Sequence, residues 1–418
     1  MLPLNCRSYV SIIGEYEENT ILDGENISSI IWSTFGDNHL SIENLTIQNG
    51  YSNIGGGISF QTNSSPILKN VTLKNNYAVS GGAFYCLYDS NPIFDNITIK
   101  NNISDGSICR FYINCNPILI NCQIFNNICT EGGSGGISLS INCNIILIDC
   151  LITENSTDDP YLGYGGGLWL GSDDSELINA TICSNYASIS GGGIYASHNT
   201  FITNSILYNN SINQIGLTDD SELTVAYSDI KDGEEGIGGA GTIHWLEGNI
   251  DSLPQFVGGD PLSYELTEGS PCIDAGNPDT TGLNLPPYDL AGNPRIYNGI
   301  VDMGAYEWQG NGVVDPEDKF YKKLYLFQNK PNPFSSSTTI KFISADYERI
   351  QDYELSIYNA KGQLIKTYNG KQHNFWVKTD IIWDGTDENG CEVAPGAYFY
   401  KLEYGDNAVV RKMILLSR

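Results

Sequence analysis

Apolar and polar positions alternate within a seven-residue phrase that returns at a nearly regular interval, as in Asn70-Val-Thr-Leu-Lys-Asn-Asn76. The second and fourth places are apolar or small, and the places between them are mostly Thr, Gln or Lys. This alternation predicts a strand with one buried face. Successive copies begin 26, 26, 25, 28, 30 and 25 residues apart, at Asn44, Asn70, Asn96, Asn121, Asp149, Asn179 and Asn204. The repetition predicts a stack, because one such unit cannot bury its apolar face alone.

Two weaker patterns precede the phrase. A Pro-Ile pair often comes just before it, as in Asn91-Pro-Ile-Phe94. Further upstream, a glycine cluster leads into a short apolar strand, beginning at Gly55, Gly81, Gly135, Gly165 and Gly191. Three short strands and three turns per repeat are typical of one coil of a parallel β-helix. Helical repeats fit poorly, because no segment keeps a 3.6-residue apolar period and Gly and Asn disfavour helices.

The sixth place of the phrase is usually asparagine, which tolerates left-handed backbone and bonds its own turn. It is occupied by Asn49, Asn75, Asn101, Asn126, Glu154, Ser184 and Asn209. We therefore expect the stacked copies to form an asparagine ladder at this place.

With these features, the repeats resemble the right-handed parallel β-helix family, the pectate-lyase-like superfold. The resemblance implies that residues 1–250 form the β-helix. Because Met1-Leu-Pro-Leu4 enters the first coil at once, we expect a leader and an end-covering cap to be missing from the start.

Residues 251–310 differ from the repeats, since Gly and Pro interrupt short apolar runs throughout. They resemble the segment that closes the β-helix in bacterial surface proteins, which implies a loop-rich C-terminal cap folded against the last coil. Arg295 lies between acidic motifs, and we expect it to pair with Asp289 or Asp302. The polar stretch Gly310-Asn-Gly-Val-Val-Asp-Pro-Glu-Asp318 has two glycines at its start, as expected for a linker, which we place at residues 311–323.

Residues 324–418 contain about seven alternating strand patterns, which predict a small immunoglobulin-like antiparallel β-sandwich. Five short motifs in order resemble the type A sorting domain of the type IX secretion system, from Gln328-Asn-Lys-Pro-Asn-Pro-Phe334 to the terminal strand. The alternative is an ordinary accessory module in which Gly and Pro merely build turns. The resemblance assigns the sorting motif to Asn329, Pro331, Asn332, Pro333, Phe334, Trp383, Asp384, Gly385, Gly390, Gly396 and Tyr398.

The net charge of the chain limits the classes of partner that it can bind. Acidic residues outnumber basic ones 49 to 21, so the formal net charge is −28. A field of that sign repels nucleic acid and anionic membrane surfaces. No apolar run is long enough to span a bilayer.

The eleven cysteines show no zinc-ligand spacing, so we expect no structural metal site. Cys115 and Cys143 lie 28 residues apart, as do Cys122 and Cys150, which places each pair at equivalent points of adjacent coils. Stacking brings such pairs within reach of a disulfide. The other explanation is a column of small buried residues, which the sequence favours because neighbouring columns vary among Val, Ile and Ala.

Acidic turns supply the candidates for chemistry. Asp173 and Asp174 are the first candidates for the paired carboxylates of a glycoside hydrolase. Asp158, Asp159, Asp219 and Asp220 are the candidates for Ca²⁺, the one cofactor that the sequence suggests. The plain alternative for all of them is a solvated turn in an acidic chain.

Lyases of the superfold use an Arg or Lys base next to a uronate carboxylate. In the predicted coils only Arg7 and Arg110 are arginines, so Arg110 is the candidate base. No second base lies near it in sequence, and His198 has no triad partner beside it. These absences weaken the enzymatic interpretation.

Aromatic residues cluster in the later coils, and Tyr164, Trp169 and Tyr195 are the candidates for stacking on sugar rings. The sequence therefore predicts an exported or cell-surface β-helix protein of a Gram-negative bacterium, engaged in adhesion or glycan binding. The alternative is a polysaccharide lyase or glycoside hydrolase. The expected partners are the type IX secretion machinery and a surface or extracellular polysaccharide.

Overall fold

The computed structural model describes residues 2–6, 10–33, 40–172, 174–258, 263–310, 323–326, 328–345, 351–372, 376–404 and 407–417. The chain forms two compact units, one of Met1–Pro278 with Tyr288–Gly312 and one of Asp279–Pro287 with Val313–Arg418. The predicted linker lies outside the described residues except for its last residue, Lys323.

The first unit is a right-handed parallel β-helix with three sheets, as the repeats predicted. In each coil the chain passes from sheet 1 to sheet 2, in several coils to sheet 3, and returns through a turn to sheet 1. Sheet 1 is a stack of short parallel strands: Leu4–Asn5, Ile31–Ser33, Ile58–Phe60, Phe84–Cys86, Cys109–Phe111, Ile137–Leu139, Leu168–Leu170, Ile194–Ala196, Ile215–Leu217 and Ile237–Gly239.

Sheet 2 contains the seven-residue phrases. The three coils from Ser41 to Lys100 contribute one long strand each. The first coil and the later coils contribute two short ones, and in the coils from Ile118 to Tyr208 the gap falls at the first two residues of the phrase. Its strands are Ser11–Ile13, Ile21–Asp23, Ser41–Gln48, Ile67–Lys74, Ile93–Lys100, Ile118–Ile120, Gln123–Phe125, Ile146–Ile148, Leu151–Thr153, Ser175–Ile178, Thr181–Cys183, Thr200–Thr203, Ile206–Tyr208, Glu222–Ala226, Asp229–Ile230 and Thr242–Trp245.

Sheet 3 is shorter and consists of Tyr51–Ile54, Tyr77–Ser80, Ile103–Ser104, Ile128–Cys129, Ser156–Thr157 and Tyr186–Ala187. A 3-10 helix spans Gly233–Gly236, and an antiparallel pair, Phe256–Gly258 with Ser263–Leu266, follows the coils. Within the described ranges, no helix has the length and apolarity to cross a bilayer.

Equivalent residues of successive coils lie directly on one another. Ile99 pairs with Leu73 on one side and with Ile124 on the other, so the fourth places of the phrase form one buried column. Phenylalanine rings fill the core between sheets 1 and 2, with centroids 4.9 Å apart for Phe84 and Phe94. The buried face predicted from the alternation is therefore the interior of the helix.

The asparagine ladder lies one place later than we predicted. Asn49 and its equivalents at the sixth place have left-handed backbone, as expected. The long row of side chains that bond one another belongs to the seventh place: Asn76, Asn102, Asn127, Asn155, Asn185 and Asn210. A shorter row joins Asn44, Asn70 and Asn96 at the first place. The turn at the sixth place directs the next side chain inward, where only a neighbouring amide and backbone groups can satisfy it.

Asn127 illustrates the bonding in this ladder. Its Nδ2 donates to Asn155 Oδ1 at 2.8 Å and to the carbonyl of Ile99 at 3.0 Å. Its Oδ1 accepts from the backbone N–H and the side-chain Nδ2 of Asn102, at 2.9 and 3.0 Å. Each buried amide thus holds three coils together.

All eleven cysteines are free thiols, and only Cys391 is exposed. The backbone N–H of Cys115 donates to Cys143 Sγ at 3.2 Å, and that of Cys143 donates to Ser172 Oγ at 3.0 Å. In an earlier coil, the N–H of Ser64 donates to Ser90 Oγ in the same way. Cys115 and Cys143 therefore act as small hydrogen-bonding residues of a Ser/Cys column.

The described residues between 250 and 310 that belong to the first unit lie on the outer face of sheet 2 and extend well back from the last coil. Thr153 Oγ1 donates to Tyr264 Oη at 2.6 Å, and the N–H of Ala305 donates to Thr181 Oγ1 at 2.9 Å. An apolar cluster joins the segment to sheet 2 and comprises Leu151, Cys183, Ile206, Tyr264, Leu266, Cys272 and Met303. We call residues 250–278 and 288–310 the flank segment.

Arg295 is buried under the flank segment, and the predicted pairing with Asp289 or Asp302 is wrong. Its Nε lies 3.5 Å from Asp149 Oδ1 of the β-helix, and its Nη2 lies 3.8 Å from Glu307 Oε2. The Asp302 carboxylate instead accepts backbone N–H groups of residues 274 and 308, while Asp289 accepts those of residues 293 and 307. The local turns occupy both carboxylates, so the arginine turns to the solenoid.

The second unit is an antiparallel β-sandwich of seven described strands. Lys323–Leu326, Thr338–Ala345 and Trp376–Trp383 form one sheet. Gln351–Asn359, Leu364–Gln372, Gly396–Tyr404 and Asn407–Leu415 form the other. Trp383, Tyr400 and Phe342 are the largest side chains of its core. The predicted all-β fold class, with a sandwich after the β-helix, is confirmed.

We expect Asn127→Ala to lower the free energy of unfolding of the β-helix by about 3 kcal/mol, since it leaves several buried donors and acceptors without partners. Urea unfolding followed by circular dichroism measures this. Asn53→Ala, an exposed Asn of sheet 3, is the matched control and should change stability by less than about 0.5 kcal/mol. Equal midpoints for the two variants would contradict the structural role of the ladder.

The stability of the flank segment should fall as pH rises. Burial raises the pKa of Glu307 to about 8 and that of Asp302 to about 6. These pKa values lie above those of the unfolded chain, so the folded state holds both protons at pH 4 and loses them as the pH rises through 6 and 8. The free energy of unfolding falls over the same range. We expect the melting temperature to fall between pH 5 and 9, and Glu307→Gln to flatten that slope. Glu265→Gln, an exposed residue of the segment, should keep it; an unchanged slope in Glu307→Gln would show that another group titrates.

Candidate functional site

The outer face of sheet 1 carries one row of in-register side chains. In the three-residue strands the flanking residues point into the core and the middle residue lies on the other face, as Trp169 does between buried Leu168 and Leu170. Of these middle residues, Ser59, Tyr85 and Ser138 are themselves buried. Ladder pairing places the middle residues one above another: Trp32, Ser59, Tyr85, Arg110, Ser138, Trp169, Tyr195, Gly216 and Gly238. We call this set the sheet 1 row. Its members follow one another at about 4.8 Å, the spacing of adjacent strands.

The three predicted binding residues come together at this row. Trp169 and Tyr195 are ladder partners, and Tyr164 reaches them from the glycine turn before the Trp169 strand. The ring centroid of Tyr164 lies 4.5 Å from that of Tyr195 and 6.0 Å from that of Trp169. The Trp169 and Tyr195 rings stand at 81° to each other, 6.1 Å apart. All three are half-buried, so each supports the others and still presents ring surface to solvent.

Burial raises the pKa of Tyr195, and the neighbouring Tyr164 and Asp219 add to the rise. The Tyr195 hydroxyl is therefore kept as a neutral hydrogen-bonding group. Asp219 belongs to the turn that follows the next strand of sheet 1. One of the predicted calcium candidates thus lies beside the aromatic cluster.

Arg110 belongs to the same row, two coils from Trp169, with Ser138 between them. Its guanidinium carbon lies 5.2 Å from the centroid of the Tyr112 ring, a cation–π contact. Within the described residues it forms no ion pair. Burial raises the pKa of its ladder partner Tyr85, and the positive charge of Arg110 opposes that rise. Arg110 is thus a charged donor in an aromatic row.

Of the two predicted carboxylates, the structure describes only Asp174, which lies in a different coil from Arg110. Asp173 lies outside the described residues, and Asp174 accepts a hydrogen bond from Asn199 Nδ2 at 2.9 Å. Asp174 occupies a turn between sheets 1 and 2, two coils beyond the Arg110 strand. His198 lies in the equivalent turn of the following coil.

The four calcium candidates divide between two sides of the solenoid. Asp219 and Asp220 follow a strand of sheet 1, whereas Asp158 and Asp159 follow a strand of sheet 3. Asp159 Oδ1 accepts the backbone N–H groups of Tyr161 and Leu162, at 2.8 and 2.7 Å, and so closes its own turn. In the described part of the chain, no three His, Cys, Asp or Glu side chains are placed to hold a metal ion.

Several residues of the predicted sorting motif form the core of the sandwich. Phe334, Trp383 and Tyr398 are buried and contact one another edge to face, with centroids 5.6 and 5.1 Å apart. Asn329 is also buried: its backbone N–H donates to Tyr400 Oη, and its Nδ2 donates to Thr338 Oγ1. These residues are explained by packing and hydrogen bonding within the unit.

The other motif residues shape turns and edges. Gly385, Gly390 and Gly396 have positive φ, which favours glycine. Asp384 accepts from the hydroxyl of Thr386 at 2.6 Å, and Asn332 Oδ1 accepts the N–H of Ile414 at 2.9 Å. Pro331 and Pro333 lie between the first two strands of the unit, where the Pro331 carbonyl accepts from Asn329 and Thr338. The motif therefore specifies how this sandwich folds.

Four members of the row were not predicted from the sequence: Trp32, Ser59, Tyr85 and Ser138. The sequence does contain a pattern that identifies them, since each is the middle residue of a strand in the same column. Their partners became visible only through strand pairing, because the repeat length varies from coil to coil.

Comparisons with known proteins agree with the two-part architecture. A family model described as a right-handed β-helix region matches residues 16–182, and one described as an FlgD Ig-like domain matches residues 334–408. The β-helix is thus similar to that family across its earlier coils, and the sandwich to the Ig-like domain across most of its length. A comparison with curated proteins finds no match.

Two solved structures are similar in part. Dimeric latent PorU from Porphyromonas gingivalis is 21% identical over 25% of this chain and 10% of its own, with a TM-score of 0.22. The enzymatically active domain of tailspike protein 4 from bacteriophage CBA120 is 13% identical over 99% of this chain and 64% of its own, with a TM-score of 0.21. Both TM-scores are too low to indicate a shared overall structure.

Proposed function

We propose that this protein is exported to the cell surface or the medium and binds an extended glycan along the sheet 1 row. The observation that carries the proposal is the aromatic cluster of Tyr164, Trp169 and Tyr195, held together on one partly exposed sheet face. Tyr and Trp offer rigid, amphipathic contact area at low entropic cost, and this suits the mixed apolar and hydroxylated faces of sugars.

Arg110 supplies a polar contact in the same line. It lies two coils from Trp169 and is partly exposed, and a guanidinium donates to sugar oxygens, whereas Ser138 between them is buried. A linear polysaccharide lying along the solenoid axis would meet the aromatic cluster and Arg110 one after the other. No metal or other cofactor is part of the proposal.

The alternative of a lyase or glycoside hydrolase has less support. Arg110 is the only predicted base in the row, and Asp174 is held by Asn199 in a turn of another coil. Acid–base catalysis requires both groups within hydrogen-bond reach of one sugar.

Export would depend on the C-terminal sandwich, through its resemblance to type A sorting domains. Residues 324–418 contain 11 basic and 11 acidic residues, whereas residues 1–323 contain 10 and 38. A domain with equal numbers of acidic and basic residues that follows a strongly acidic domain is consistent with separate roles for the two. The proposed partner is the type IX secretion machinery, and the proposed location is the exterior of a Gram-negative outer membrane.

Trp169→Ala should weaken glycan binding at least about tenfold, which corresponds to about 1.4 kcal/mol, because it removes the centre of the aromatic cluster. Retention on a polysaccharide panel, followed by calorimetry on the best ligand, measures this. Tyr186→Ala is the matched control, since Tyr186 is an exposed tyrosine of sheet 3, outside the row. Equal loss in both variants would argue against the row. Release of reducing or unsaturated ends would favour the enzyme.

A chain that ends at residue 312 should remain inside a host with a type IX secretion system, whereas the full chain, given the leader that such a host requires, should reach its surface or medium. Immunoblots of periplasm, surface and medium distinguish these results. The same full chain in a strain without the secretion system is the control. Export of the shortened chain, or of the full chain from that strain, would refute the proposed sorting role.

A further inference from the structure

We propose a second carbohydrate site, for an acidic sugar, on the outer face of sheet 2. It consists of Lys74, Lys100 and Phe125, which we call the lysine site. The anionic group of the sugar would lie between the two ammonium groups, and its ring would lie against Phe125. This site lies on a different sheet from the sheet 1 row and does not depend on it.

The two lysines are direct ladder partners. Lys74 pairs with Lys100, and Lys100 pairs with Phe125, in one column of the fifth place of the phrase. Their Cα atoms are therefore about 4.8 Å apart. Like charges directly opposite each other on one sheet face are destabilising unless a counter-charge lies between them.

Within the described residues, neither Lys74 nor Lys100 forms an ion pair or a side-chain hydrogen bond. The nearest acid of the column is Asp23, two coils from Lys74, and it already accepts from Gln48 and Asn49. Glu17 is nearby but accepts from Thr72 in the neighbouring column.

This arrangement is unusual for such an acidic chain. Residues 1–323 contain 38 acidic residues for 10 basic ones, so an exposed lysine would commonly find a carboxylate opposite. Lys69 illustrates the contrast, since Glu43 and Asp95 are its ladder partners. Two adjacent lysines without a partner acid form a local positive site in a negative field, where a ligand anion can take the place of the missing carboxylate.

Phe125 makes the site suited to a sugar as well as to an anion. Lys100 Nζ lies 5.6 Å from the centroid of the half-exposed Phe125 ring. Thr98 and Gln123, ladder partners in the neighbouring outward column, bring a hydroxyl and an amide beside the cation and the ring. A ring, two cations and neutral donors on one face match a uronate or sulfated sugar, in which a carboxylate or sulfate group is attached to an amphipathic ring.

Calorimetry on the full chain tests the site with four probes: a tetragalacturonate, a heparin-derived tetrasaccharide, cellotetraose and inorganic sulfate. We expect one or both acidic oligosaccharides to bind, and the double variant Lys74→Gln with Lys100→Gln to weaken that binding at least tenfold. Which of the two binds distinguishes a carboxylate from a sulfate. Lys231→Gln is the matched control, because Lys231 also lies over an aromatic ring, that of Tyr208, and should leave binding unchanged.

The site would be overturned by no binding of either acidic oligosaccharide, by equal weakening in Lys231→Gln, or by inorganic sulfate binding as tightly as the oligosaccharides. Trp169→Ala separates this inference from the proposed function, since it should weaken binding at the row and leave the lysine site intact. If Trp169→Ala lost acidic-sugar binding and the lysine variant kept it, the sugar would bind at the row and the lysine site would be refuted.

Discussion

The whole first unit depends on parallel strands that pair in register from coil to coil. At this spacing of about 4.8 Å, every residue has a close equivalent above and below it. A residue type that packs well at one position is therefore repeated along the solenoid, as in the buried column that contains Ile99. An unfavourable one is repeated as well, and a polar group inside the stack must be satisfied by its own equivalents. The ladder that contains Asn127 meets this requirement, because each amide donates to the next and accepts from the one before.

The same register converts a one-dimensional pattern into binding surfaces. A side chain that points outward in one coil continues a row in the next, so a short ligand meets several coils and a long one can follow the axis. The sheet 1 row combines aromatic rings with Arg110 in this way. The lysine site uses the same geometry on sheet 2, where pairing brings two equal charges together. Both are shallow surfaces, which suit an extended glycan better than a small enclosed substrate.

Differences between coils decide which outer faces stay open. The third place of the phrase is Thr46, Thr72 and Thr98 in early coils but includes Leu151 and Ile206 in later ones. Those apolar residues would be exposed on a bare solenoid, and the flank segment covers them. Arg295 adds a buried ion pair with Asp149, which ties the segment to a particular coil. The flank segment thus covers the outer face of sheet 2 in the later coils. In the earlier coils Glu17 contacts Thr46 and Thr72 on that face, beside the lysine site.

The sequence by itself determined the architecture of both units. Period-2 alternation, repeated about every 26 residues, is compatible with stacked strands and with little else, and the strand patterns after residue 324 specify a sandwich. It also identified Tyr164, Trp169 and Tyr195. Only the tertiary structure decided that these rings touch, that the ladder uses Asn76 and its equivalents, that Arg295 pairs with Asp149, and that motif residues such as Trp383 fill a core. The physical reason is that periodicity fixes which way a side chain points, whereas its partners depend on register between coils and on segments distant in sequence.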